Sequence, residues 1–223
     1  AGSAGDTPIY ATPAPGTPAA TEATSMTGDT GAVDAINTDG TVSTVASGFP
    51  SLSFGPEVVG PAGVAATGTT LYVVTGGAGP ATPAVDPMQG RAAVWSVDVN
   101  TGETKVVADL EAFERTNNPD PHNIDSNPYA ITIGSDGMLY VADAGGNDIL
   151  KVDPTSGEVS LLAVIPGLPG QQANPERGGA LELDPVPTGL LDMHGVPLYG
   201  LPDRVPFGFH VSKPRVRVKA PRG

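Results

Sequence analysis

The side chains best suited to chemistry in this chain are oxygen donors, and they fall in two short runs. In the first, Asn123, Asp125 and Asn127 alternate with Ile124 and Ser126. An extended chain would put all three on one face. They could then line an axial pocket or hold a hard cation such as Ca²⁺, which takes several oxygens at once. The same spacing also fits an Asx-rich loop leading into a strand, its side chains turned onto nearby backbone. In the second run, Asp143, Asn147 and Asp148 flank Gly145-Gly146. These could present carboxylates at one face of the fold, or close a turn on its own backbone. Asp98 and Asp153 precede hairpins and read as turn formers.

Other chemistries find little support. The chain has 0 Cys, which excludes disulfides, thiolate catalysis and Cys-ligated zinc. Its histidines, His122, His194 and His210, form no HExxH or HxxxH pair, and no serine sits in a GxSxG elbow. No cofactor is predicted, and Ca²⁺ is the ion that an oxygen-only donor set would take. The formal net charge of −13 repels nucleic acid and anionic membranes, so neither is an expected partner. No apolar run approaches the ~18 residues of a membrane-spanning helix.

The elements that must position these residues repeat. GPAGVAATGTTLYVVTGG from Gly60 aligns with NPYAITIGSDGMLYVADAGG from Asn127. AAVWSVDVNTGETKVVADL (92–110) aligns with NDILKVDPTSGEVSLLAVI (147–165), and earlier with GAVDAINTDGTVSTVASGF (31–49). Val33, Val94 and Ile149 then correspond, as do Ile36, Val97 and Val152. VPTGLLDMHGVPLYG (186–200) begins another copy of the first half. Asp39-Gly40, Thr101-Gly102 and Asp136-Gly137 supply the positive-φ residues that tight hairpins need. The apolar/polar alternation of Val94–Asp98 and Lys151–Asp153 is that of strands. Tandem four-stranded units with glycine hairpins predict an all-β fold, a β-propeller of four-stranded blades. The segment LEAFERTNN (110–118) predicts two helical turns as a connector, with Leu110, Phe113 and Glu114 on one face.

With 223 residues the chain accounts for an incomplete set of about three blades. Residues 1–200 form the expected partial propeller. Residues 1–49 are a part blade carrying a Pro/Ala/Thr-rich loop, 57–110 and 127–165 are blades, and 186–200 start the next. Residues 201–223 are a basic tail that matches no blade. Residues 200–223 hold six of the 11 Lys+Arg against one acid, Asp203. The tail either docks on the acidic body or is foreign to the fold.

LYVADAGGNDILKVDPTSGEVSLLA resembles NHL-type and SMP-30/gluconolactonase-like blades. The longer run NNPDPHNIDSNPYAITIGSDGMLYVADAGGNDILKVDP (117–154), with VVADLEAFERTNNPD and VPTGL, resembles the ScyD/ScyE family, named for genes associated with synthesis of the pigment scytonemin. The resemblance implies a secreted, extracellular or periplasmic protein, six-bladed when complete, with no established catalysis. Its expected partner is a small molecule, a polymer or a protein bound by rigidly held loops. One alternative is a divalent-metal-dependent lactonase of SMP-30/gluconolactonase type, whose ligands follow the proline of inner strands. The matching positions here are Ala62, Tyr129 and Thr188, which argues against that activity. A structural cell-surface protein is the third reading.

Overall fold

The computed structural model describes residues 7–9, 25–54, 57–77, 91–122, 124–192 and 207–208. Asn123, His194, His210, the loop residues 10–24 and nearly all of the basic tail lie outside the described residues, as does the Leu198-Tyr199 repeat.

Three four-stranded antiparallel sheets carry the fold, each a meander in chain order. The first comprises β1 (Thr7–Ile9), β2 (Ser25–Ile36), β3 (Val42–Phe54) and β4 (Glu57–Val59). The second comprises β5 (Pro61–Thr67), β6 (Thr70–Thr75), β7 (Ala93–Asp98) and β8 (Thr104–Asp109). Helix α1 (Leu110–Asn117) leads to the third, β9 (Pro128–Ile133), β10 (Leu139–Asp143), β11 (Asp148–Val152) and β12 (Val159–Val164). A two-stranded arm follows, β13 (Leu168–Asn174) and β14 (Ala180–Leu183), joined through a 3-10 turn at Pro175–Arg177. Last, β15 (Leu191–Asp192) pairs with β16 (Phe207–Gly208).

The repeated sequence produces repeated registers. Leu71 pairs with Val97 and Val73 with Trp95, while Leu139 pairs with Val152 and Val141 with Leu150. The outer hairpins of both sheets close the same way. Asp98 accepts from the Asn100 and Thr101 amides at 2.8 and 3.1 Å. Asp153 accepts from the Thr155 and Ser156 amides at 2.7 and 3.2 Å. Gly102 (φ 72°) and Gly157 (φ 75°) complete the turns in the left-handed region. Both aspartates are thus the turn formers their positions suggested, and these backbone hydrogen bonds hold their carboxyls below the usual range.

The sheets stack face to face. Val33, Val45, Ala46 and Phe49 of the first pack on Leu71, Val73, Trp95 and Val97 of the second. The Phe49 and Trp95 rings meet edge to face at 5.4 Å. The opposite face of the second sheet, Val74 and Val94, packs on Ile131, Leu139, Val141, Leu150 and Val152 of the third. Strands β5 and β9 come closest: a Cβ on Gly63 would lie 3.0 Å from the Tyr129 carbonyl oxygen. Close approach of the first strands of adjacent sheets, as β5 and β9 show, is the arrangement of propeller blades. The chain is all-β, with three such sheets among the described residues.

One alignment partner behaves differently. Val97 and Val152 are fully buried, but Ile36 is 81% exposed. Val97 and Val152 face the preceding sheet. No sheet precedes the first among the described residues, so the same position has nothing to pack on.

Candidate functional site

The turn from β10 to β11 gathers most of the polar residues singled out above. Asp143, at the end of β10, is fully buried. One carboxylate oxygen, Oδ1, accepts the Asn127, Gly145 and Gly146 amides at 2.7, 3.0 and 3.0 Å. The other accepts the Ser126 hydroxyl at 2.5 Å. Burial pushes this carboxyl above its ordinary range, while Ser126 and the three amides pull it back. Charge-assisted bonds of this kind are among the stronger ones in proteins. They tie the β10–β11 turn to the lead-in of β9.

That lead-in, Asp125–Asn127, passes between two glycine pairs. A Cβ on Gly77 would overlap the Ser126 carbonyl oxygen, at 1.7 Å, and one on Gly76 would lie 2.7 Å from Asn127 Oδ1. On the other side, a Cβ on Gly145 would lie 2.8 Å from both Asn127 N and Asp125 Cγ. The repeated Gly-Gly of TGG and AGG is therefore the space through which the chain runs between blades. Asp125 and Asn127 are half-buried in that seam.

Asn147 has φ 53°, a conformation asparagine tolerates better than most residues. Its amide nitrogen donates to Asp120 Oδ2 at 3.1 Å and to Asp184 Oδ1 at 3.4 Å. Its amide oxygen accepts the Val186 backbone N–H at 3.2 Å. Arg177, from the 3-10 turn of the arm, joins the same group. It bonds Asp120 and Asp184 through NH1 at 3.0 and 2.9 Å and Glu182 through Nε at 2.8 Å. The arm is thereby fastened over the β10–β11 turn.

Asp148 opens β11 and is fully buried; Glu114 of α1 is 1% exposed. None of their four carboxylate oxygens receives a hydrogen bond from a donor group among the described residues. The two carboxyls instead face each other. Burial first, then the nearby Asp143 charge, pushes both well above the ordinary carboxyl range, with Asp125 or Asp120 adding to the effect.

The structure thus brings Asp125, Asn127, Asp143, Asn147 and Asp148 together. Glu114, Asp120, Ser126, Arg177 and Asp184 complete the cluster and were not among the candidate site residues read from the sequence. Glu114 carried a signal, since it shares the buried face of α1 with Leu110. Arg177 carried none: Glu182 and Asp184 follow it closely, but Asp120, which ties it to the cluster, lies 57 residues away. Among the described residues, no group of three or more His, Cys, Asp or Glu is arranged to hold a metal ion. At the positions after the inner-strand prolines, Ala62 is exposed and Tyr129 is 50% exposed. Thr188 is half-buried.

No family model and no curated protein matches the chain. Two solved structures, both β-propeller proteins, resemble it in part. A luciferin-regenerating enzyme is 19% identical with a TM-score of 0.41, over 60% of this chain and 36% of that one. A virginiamycin B lyase from Staphylococcus aureus is 14% identical with a TM-score of 0.31, over 58% of this chain and 47% of that one. The chain therefore spans less than half the length of either. No helix among the described residues is long and apolar enough to cross a membrane.

Proposed function

We propose that the chain belongs to a secreted, non-catalytic β-propeller of ScyD/ScyE type that recognises a small molecule, a polymer or a protein through its loops. The observation that carries this reading is how the polar cluster spends its bonds. Asp143 and Asn147 are engaged within the chain, to Ser126, to backbone amides and to Asp120 and Asp184. Such bonding fixes loops, and rigidly held loops are what recognition on a propeller requires. Beside the fixed seam, Ile124 is 43% exposed and Tyr129 is 50% exposed. Exposed aromatic and aliphatic side chains on a rigidly held backbone suit binding.

The competing lactonase reading needs inner-strand oxygen ligands, and Ala62 and Tyr129 supply no carboxylate at the corresponding positions. Gluconolactone hydrolysis measured with Ca²⁺ or Zn²⁺, and again after chelation, separates the two. The expected result is no turnover above the uncatalysed rate in either condition. Saturable turnover that chelation removes would replace the scaffold reading with the enzymatic one.

A further inference from the structure

We propose that Glu114 and Asp148 share protons across the buried seam, forming a pH-sensitive latch that holds α1 against the β10–β11 turn and weakens as pH rises. Glu114 lies on the buried face of α1 beside Leu110, and Asp148 lies at the first residue of β11. Both are at least nine-tenths buried, and no amide, hydroxyl or cation donates to either among the described residues. Two ionised carboxylates cannot face each other in such a place without a neutralising charge. A proton held between them removes the repulsion and converts it into an attraction.

The surroundings sharpen this demand. From β10 comes Asp143, and from the lead-in to β9 come Asp120 and Asp125, all acidic. Of the two buried arginines among the described residues, Arg177 of the arm is committed to Asp120, Asp184 and Glu182. On α1 itself, Arg115 pairs with Glu111 on the exposed side. Arg91, buried beside the start of the helix, is influenced by Glu111 rather than by the pair. Gly146 lets the contact form, since a Cβ there would sit 3.1 Å from Glu114 Oε1.

The linkage has an unusual sign for carboxyls. Burial raises Glu114 from 4.5 to about 8 and moves Asp148 in the same direction. Such groups bind more protons folded than unfolded between those values. Their stabilisation is full below the unfolded value and is lost as pH rises through the folded one. For one linked proton, the equilibrium for opening the latch grows about tenfold per pH unit across that window, then levels off.

The test compares the full chain with Glu114→Gln and Asp148→Asn. Each variant keeps the shape and one hydrogen bond but removes a titrating group. Thermal melting and hydrogen exchange of the α1 amides are followed from about pH 5 to about pH 9. The general repulsion within a chain of net charge −13 is common to all three proteins, so the difference in slope isolates the pair. The latch predicts a steep fall in Tm and in α1 protection for the parent chain, with a shallower fall in the variants. Parallel slopes would overturn it. Infrared spectra at neutral pH provide a second readout that needs no variant, because a shared proton leaves a protonated-carboxyl band and its absence would refute the latch. Added Ca²⁺ that restores alkaline stability to the parent chain but not to the variants would also overturn it, since the pair would then hold a cation rather than a proton.

Discussion

Two carboxylates, Asp136 in the β9–β10 turn and Glu114 on α1, show how burial decides what a residue is worth. Asp136 accepts from the Tyr140 hydroxyl at 2.8 Å and from Lys151 Nζ at 2.9 Å, with side chains of Asp136 and Lys151 44% and 35% exposed. The Lys151 bond, opposed by slight burial and helped by Tyr140, lowers its carboxyl to about 2. The sign is the ordinary one: this group stabilises above its unfolded value of 3.8, and the contribution is lost as pH falls through about 2. Solvent screens the pair, so Asp136→Asn is expected to cost less than about 1 kcal/mol in urea denaturation. Glu114 has the opposite sign because it has burial without a partner charge. Asp136 was legible as a hairpin residue and Glu114 as part of a helix face with Leu110 and Phe113, but only the fold shows that Glu114 is enclosed without a partner charge.

At the scale of elements, the helix between the blades does more than connect them. Its start is capped by Asp109, whose carboxylate accepts the Ala112 amide at 2.9 Å, and Glu111 lies in the first turn where the helix dipole favours an acid. Its end is closed by Asn118 in the left-handed region at φ 39°. Asp109→Ala removes one orphan-amide partner and is expected to cost about 1 kcal/mol. If the latch is carried by this helix, the same variant should also raise exchange at the α1 amides before global unfolding. A variant indistinguishable from the parent chain in both readouts would remove the cap from the account. The helix itself was legible in LEAFERTNN, and so were the blade strands, because Leu71-Tyr72 and Leu139-Tyr140 repeat with their hairpin glycines. The arm of β13 and β14 was not. Leu168, Leu181 and Leu183 are all more than half exposed, and a hairpin held mainly by its polar contacts leaves no hydrophobic period to read.

Across the whole molecule, two kinds of contact join the blades. Apolar faces stack between sheets, as Phe49 on Trp95 and Val74 among Leu139, Val141 and Leu150. At the ends of the strands a polar seam takes over, where Asp143 ties the third blade to the segment running past Gly76-Gly77 of the second. The stacked faces were visible in the sequence as repeating valines and leucines. The seam residues Asp125, Asn127, Asp143, Asn147 and Asp148 had two readings in the sequence, ligand donors or turns closed on backbone, because a carboxylate has the same letter whether it binds a ligand or a backbone amide. Asp143 serves the fold. Equilibrium urea denaturation of Asp143→Asn tests it most directly, because the amide nitrogen would face donors that now meet an oxygen. The account predicts a loss of about 3 kcal/mol or more with an unchanged m-value. A variant as stable as the parent chain would contradict it and return Asp143 to the pool of residues free to act on a ligand.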